Sequence, residues 1–279
     1  MSEDIFEIKV LSHAFEILNF EQTLLQLQDE SKLDIPVYLG IGQEYVASTL
    51  ATLLKKYTPG IFAQHRSHSY FIAFGGNKES LLSEILGDRI KGCSNGYGGS
   101  VGIFSKDIPM FGHTGIMGEQ AYLGAGWSFA TKRPAIVVLG DATLEEDYLG
   151  PTLGFCSMHN VPVLFICEDN GLAVLTPTSK RRKWTAPDLA EAYGLECHDL
   201  EDDPFLIQEI LNDYEFEKPI FLNITVQRKN RHVGALLEGE IEWDREQIFK
   251  KQFISIHGNS LYEQIKSAQL AEEVSNASP

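Results

Sequence analysis

The chain predicts an α/β fold, a mostly parallel sheet with helices on both faces, and three stretches predict it. Ile136-Val137-Val138-Leu139 is a short apolar run, rich in β-branched residues, that ends on Gly140-Asp141-Ala142-Thr143. Val161 to Cys167 is a second run, ending on Glu168-Asp169-Asn170-Gly171, and Pro219 to Val226 is a third. Apolar runs bounded by turn residues read as buried strands. A helical segment between the first two makes a parallel crossover unit. Open α/β sheets bind ligands beyond the carboxyl ends of their strands, where this chain delivers Asp141 and Asn170.

The elements follow in order. Ile5 to Asp29 carries Ile5, Ile8, Leu11, Phe15, Leu18 and Leu25 at helical spacing, which predicts an amphipathic helix or helix pair. Gly42 to Lys56 predicts a second helix, with Tyr45, Val46, Leu50, Leu53 and Leu54 in one stripe between turns at Pro36 and Pro59-Gly60. Ile61-Phe62-Ala63 predicts a short strand. From Gly75 to Gly118 the chain is glycine-rich. Glycines there serve either a loop needing positive φ or a backbone that approaches a cofactor closely, and the second is expected. Gln120 to Ala130 predicts a helix packed through Leu123, Gly124, Ala125 and Phe129. Pro187 to Tyr193 predicts a short helix with proline in its first turn. Gly194 to Cys197 predicts an edge strand, Pro204 to Tyr214 a helix, and Asp244 to Val274 a helical tail whose last residues are expected to be disordered. No repeat or linker interrupts the pattern, so residues 1–279 are expected to form one domain with helical N-terminal and C-terminal extensions.

A net charge of −16 on 279 residues argues against nucleic acid or an anionic membrane as partner. An anionic ligand must then be held by local groups. Cys93, Cys156, Cys167 and Cys197 form no CxxC pair, which points to reduced structural thiols. No apolar stretch reaches membrane-spanning length, and Met-Ser-Glu-Asp-Ile-Phe lacks the pattern of a signal peptide. A cytoplasmic protein is expected.

Asp141 and Asn170 each offer a hard oxygen, and a backbone carbonyl near Leu172 offers a third. Magnesium takes one or two protein oxygens together with phosphate and water. A helix starting after Asp141 would add N–H groups and a positive dipole end beside a phosphate. Asp141 alone would read as a helix cap, but its pairing with Asn170 favours metal ligation.

Gly140-Asp141 followed by Asn170 resembles the GDG…N signature of thiamine-diphosphate enzymes. Gly42-Gln43-Glu44, His65-Arg66-Ser67-His68, Gly96-Tyr97-Gly98-Gly99-Ser100, Gly115-Ile116-Met117-Gly118 and Leu123-Gly124-Ala125-Gly126 stand in the order of one family's landmarks. From about Asp34 to Gly234 the chain resembles the alpha subunit of the two-chain 2-oxo acid dehydrogenase decarboxylating component, acetoin-dehydrogenase relatives included. The resemblance implies thiamine diphosphate and magnesium as cofactors, with Asp141, Asn170 and the Leu172 carbonyl on the metal. It implies cofactor contacts from Gly140, Ala142 and Thr143, and from Arg66 on the diphosphate. His65 and His68 either contact the ligand or make ordinary core hydrogen bonds. Gly115 and Met117 match the segment that meets the pyrimidine and thiazolium rings. His232 matches the active-site loop histidine that handles protons, and Arg228 and Arg231 suit a carboxylate or phosphate.

The implied reaction is decarboxylation of a 2-oxo acid with transfer of the acyl unit to a lipoyl group. The implied partners are a beta subunit carrying the pyrimidine-binding domain and activating glutamate, in an α2β2 assembly, and a lipoyl-domain acyltransferase. An acyloin-forming transferase acting on an aldehyde, ketone or sugar keeps the same cofactor, and a degenerate cofactor-binding scaffold is a third reading. Ala142 stands in place of the third glycine of the signature, Asp147 where relatives often have glycine, Pro151 where many have glutamate, and Glu168 where some have arginine. Pro151 predicts a crossover helix that starts late or kinks.

Overall fold

Strands buried on both sides lose the polar alternation of a half-exposed strand, and the three apolar runs form such strands at the centre of a parallel sheet. The structure, a computed structural model, describes residues 5–105, 107–229 and 243–276. In chain order the helices are α1 (Phe6–Asp29), α2 (Glu44–Leu54), α3 (His68–Ala73), α4 (Lys78–Ile85), α5 (Glu119–Thr131), α6 (Leu149–His159), α7 (Thr178–Arg181), α8 (Ala186–Ala192), α9 (Pro204–Leu211), α10 (Arg245–His257) and α11 (Asn259–Asn276). The strands are β1 (Gly60–Phe62), β2 (Met110–Phe111), β3 (Ala135–Gly140), β4 (Val163–Asp169), β5 (Leu172–Ala173), β6 (Thr176–Pro177), β7 (Glu196–Glu201) and β8 (Ile220–Thr225). Six of them form one sheet in the order β2-β1-β3-β4-β8-β7, every pair parallel, and β5 with β6 is a small antiparallel hairpin.

Side-chain alternation divides the core. Ile136 and Val138 of β3, Leu164 and Ile166 of β4, and Ile220, Leu222 and Ile224 of β8 pack against α1, α2, α3 and α9. Val137, Leu139, Val163, Phe165 and Phe221 point the other way, onto α5, α6 and α8. Burying each of these large apolar side chains contributes about 1.5–3 kcal/mol before chain entropy is set against it. Gly124 brings α5 close to the sheet, because a Cβ there would stand 2.5 Å from Val137 Cγ2. A third cluster joins Leu11 and Phe15 of α1 and Tyr45 of α2 to Phe249, Phe253 and Tyr262 of α10 and α11.

Several expectations change. The first segment is one helix, and the tail is two, divided at Gly258 with φ of 84°. The edge strand runs on to Glu201, because pairing with β8 rather than apolar content sets its length. No helix begins beside Asp141. Asp141–Glu145 is a 3-10 turn, and α6 starts at Leu149, which puts Pro151 inside its first turn, where its missing N–H costs nothing. The glycine-rich stretch also has a different organiser. The fully buried Glu84 carboxylate accepts from the N–H of Ser94 and Gly96 on Oε2 (2.7 and 2.8 Å) and of Gly98 and Gly99 on Oε1 (2.7 and 3.1 Å). No helix among the described residues is long and apolar enough to cross a membrane. All four cysteines are free, and burial pushes Cys156 and Cys197 up to about 12, so neither ionises near neutrality.

Candidate functional site

β1, β3, β4 and β8 are neighbours and parallel, so their carboxyl ends open on one side of the sheet. The sheet grows from β1 to β2 in one direction and from β3 to β4 to β8 in the other. The crevice between β1 and β3 is therefore a topological switch point. A cavity of about 360 Å³ lies there. His65 and Arg66 reach it from the end of β1, Gly140, Asp141 and Ala142 from β3, Asn170 and Leu172 from β4, and Arg228 from beyond β8. Gly115 and Met117 line it from the segment before α5, and Tyr148 donates its hydroxyl to the Met117 carbonyl.

Two of the predicted residues that the structure describes are not in the wall. His68 is fully buried in the core, with Nδ1 2.9 Å from Glu21 Oε1 and Nε2 2.9 Å from Ser100 Oγ, so of its two readings the core hydrogen bonds describe it. Thr143 is fully buried outside the lining. His232 lies outside the described residues.

Asp141 is 2 % exposed. Its Oδ2 accepts from Thr178 Oγ1 at 2.8 Å and pairs with the Arg181 guanidinium, which also pairs with Glu145. Arg182 donates to the Asp141 carbonyl at 2.6 Å and to Glu145 at 2.8 Å. The short helix α7 thus anchors the turn that carries Asp141. Asn170 accepts from the Leu172 N–H at 3.0 Å and Asp169 from the Gly171 N–H at 2.8 Å, so the end of β4 is locked into a fixed turn. Burial pushes the Asp169 carboxyl above its ordinary range, Gly171 opposes that, and the Asp141 charge adds to it.

Arg66 and Arg228 are 5 % and 3 % exposed and are held by backbone carbonyls, Leu39 for the first and Val174, at 2.8 Å, for the second. Under the cavity, Glu168 accepts from Gln64 Nε2 at 2.8 Å and from Tyr70 OH at 2.7 Å, tying β4 to β1 and α3. Gly140 makes room for this tie: a Cβ at that position would stand 3.0 Å from Gln64 Oε1.

Burial pushes Glu168 up to about 7, against the two hydrogen bonds. A carboxyl raised above its unfolded value of about 4.5 stabilises the fold below that value and loses this contribution as pH rises to 7. Glu168→Gln should therefore gain in melting temperature relative to the parent between pH 5 and pH 8. A difference that stays flat across that range would remove Glu168 as a titrating group.

Sequence reasoning missed Gln64, Tyr70, Thr178, Arg181, Arg182, Tyr148 and His113. Only Arg181-Arg182, a basic pair soon after Asn170, left a signal that could have been used. No group of three or more His, Cys, Asp or Glu side chains that could hold a metal occurs among the described residues. One carboxylate, one carboxamide and one carbonyl make an all-oxygen donor set, which suits magnesium rather than zinc. The buried His113 Nε2 has no hydrogen-bond partner, and its residue lines the cavity. An unmatched donor, two arginines and this oxygen set fit a magnesium-bridged diphosphate.

The family model described as dehydrogenase E1 component matches residues 15–203. The pyruvate dehydrogenase E1 component subunit alpha of Zymomonas mobilis is 31% identical over 175 residues, 61% of this chain and 49% of that protein. The namesake from Rickettsia prowazekii is 27% identical over 241 residues, 81% of this chain and 72% of its own length. The match therefore spans about half of the first relative. Among solved structures, a transketolase mutant from Pichia stipitis superposes with a TM-score of 0.57 at 11% identity, over 97% of this chain and 45% of that one. Transketolase from Campylobacter jejuni gives 0.53 at 14%, over 81% and 38%. At such identities the likeness shows the fold alone.

Proposed function

The chain belongs to the dehydrogenase E1 component family, and from that premise we propose that it is the alpha subunit of a heteromeric thiamine-diphosphate enzyme that decarboxylates a 2-oxo acid and passes the acyl unit to a lipoyl group. One observation carries the reading. Asp141, Asn170 and Arg228, from beyond the ends of three adjacent parallel strands, meet in one cavity at the switch point.

In this reading Asp141, Asn170 and the Leu172 carbonyl hold magnesium, and Arg66 and Arg228 hold the diphosphate. Gly115 and Met117 pack against the ring end, beside His65. When bound, thiamine diphosphate supplies the electron sink that decarboxylation needs. The chain's own part is to bind, to orient and to exclude water. His232, by resemblance, moves a proton at the reacting centre. Residues 1–279 serve as one diphosphate-binding unit with helical extensions at both ends, in the cytoplasm. The group that activates the aminopyrimidine comes from a beta subunit, so active sites form only in the assembled α2β2 enzyme, which serves a lipoyl-domain acyltransferase.

The test co-expresses the chain with its candidate beta subunit and follows carbon dioxide release and lipoamide acylation from a panel of 2-oxo acids. Turnover by the assembly and none by the single chain is expected. Turnover by the single chain would overturn the split site. Acyloin products without lipoamide acylation would overturn the acceptor.

A further inference from the structure

His113 follows the edge strand β2 and is 8 % exposed. Its Nδ1 accepts from the Gly115 N–H at 2.7 Å. A neutral imidazole with Nδ1 accepting carries its proton on Nε2, so the tautomer is fixed by the backbone. That Nε2–H is buried and has no partner, and His113 is one of the residues that line the cavity. The His65 ring stands edge-on to it at 6.3 Å and is itself edge-on to Tyr38 at 4.8 Å, so the imidazole is seated among rings. Burial holds His113 below the ordinary histidine range, with Glu119 the charge that opposes this. A buried donor without an acceptor costs stability, and a site that retains one supplies the acceptor with its ligand.

We propose that His113 donates its Nε2–H to an anionic oxygen of the bound reactants, a carboxylate or a phosphate. The inference rests on the thiamine-diphosphate reading and deepens it. β1 lies between β2 and β3, which places the end of β2 two strand spacings, about 10 Å, from the end of β3 that carries Asp141. The donor therefore belongs to the β2 side of the site, and the carboxylate of the 2-oxo acid is the oxygen assigned to it. A neutral donor suits that task. Decarboxylation disperses the carboxylate charge, and a full cation would favour the ground state over the transition state.

His113→Asn separates donor from scaffold. An asparagine oxygen accepts from the N–H two residues on, as Nδ1 does here, so the turn is kept while the Nε2–H is lost. His113→Gln returns an amide N–H near the Nε2 position. The measurements use the complex with the beta subunit: calorimetric affinities for thiamine diphosphate with magnesium and for acetylphosphonate, a mimic of pyruvate that cannot lose carbon dioxide, and the ¹⁵N spectrum of His113. The spectrum should show the Nε2–H tautomer, and acetylphosphonate should move the Nε2 signal. In His113→Asn its affinity should fall about tenfold and recover in His113→Gln, with cofactor affinity unchanged. A tenfold loss in cofactor affinity instead, with Nε2 moved by magnesium pyrophosphate, would assign the same donor to the diphosphate. An Nε2 signal unmoved by both probes, with both affinities intact in His113→Asn, overturns the inference alone. A parent complex that does not bind thiamine diphosphate overturns the functional reading itself.

Discussion

Asp141→Ala is expected to abolish magnesium-dependent binding of thiamine diphosphate. Asp141 supplies the single carboxylate in the proposed donor set, and losing even an outer-shell partner costs ten- to a hundredfold in metal affinity, so losing a ligand should cost at least about a hundredfold. The readout is the rise in melting temperature that saturating cofactor and magnesium give the parent, which scales with the logarithm of ligand over Kd. The parent should lose that rise when EDTA replaces magnesium, and the variant should lack it throughout. Arg181 complicates the side chain in an informative way. It occupies Oδ2 together with Thr178, so the metal must share the carboxylate with a guanidinium or displace it. Stability of the unliganded variant should fall less than the ~3–5 kcal/mol expected when a buried pair loses one member, because Arg181 keeps Glu145. A cofactor-induced rise that survives in Asp141→Ala would exclude Asp141 as the ligand.

The parts of this molecule that could be read from its sequence are those whose physics is local. β3, β4 and β8 are legible because strands buried on both faces must be apolar throughout, and Asp141 and Asn170 stand out because polar residues that end such strands meet at one edge. α3 left no trace, since all six of its residues are buried and an evenly buried helix has no polar stripe. β2 is two residues long and is defined by its pairing with β1, which is distant in sequence. His113 left no signal, and the basic Arg181-Arg182 pair left one that named no partner, for a related reason. The first acquires its meaning from a hydrogen bond to a backbone turn, the second from an aspartate that is adjacent only after three strands have paired. Family resemblance carried the site further than periodicity did, while the glycine-rich stretch was read from its composition alone. Glycines tolerate both a ligand and a tight turn, and only the position of Glu84 decides between these for Gly96, Gly98 and Gly99.

Glu84→Gln is expected to unfold that loop. Each oxygen of Glu84 accepts two N–H groups, so a carboxamide keeps one pair and turns its own NH2 toward the other. Hydrogen bonds to a charged group contribute about 1.5–3 kcal/mol each, so losing two of them predicts a loss of about 3–6 kcal/mol. For a chain of this size that corresponds to about 10 °C in melting temperature. The damage should be confined at first to one segment. In native-state hydrogen exchange the amides of Ser94, Gly96, Gly98 and Gly99 should be protected in the parent and exchange freely in the variant, while β3 and β4 keep their protection. The same loop carries Ser100, which binds His68, and Val101, which lines the cavity. Cofactor affinity should therefore weaken in Glu84→Gln, although Glu84 itself is absent from the cavity wall. Intact protection of the four amides would show that the glycine turns hold their shape without the carboxylate, and the loop would then owe its order to backbone geometry alone.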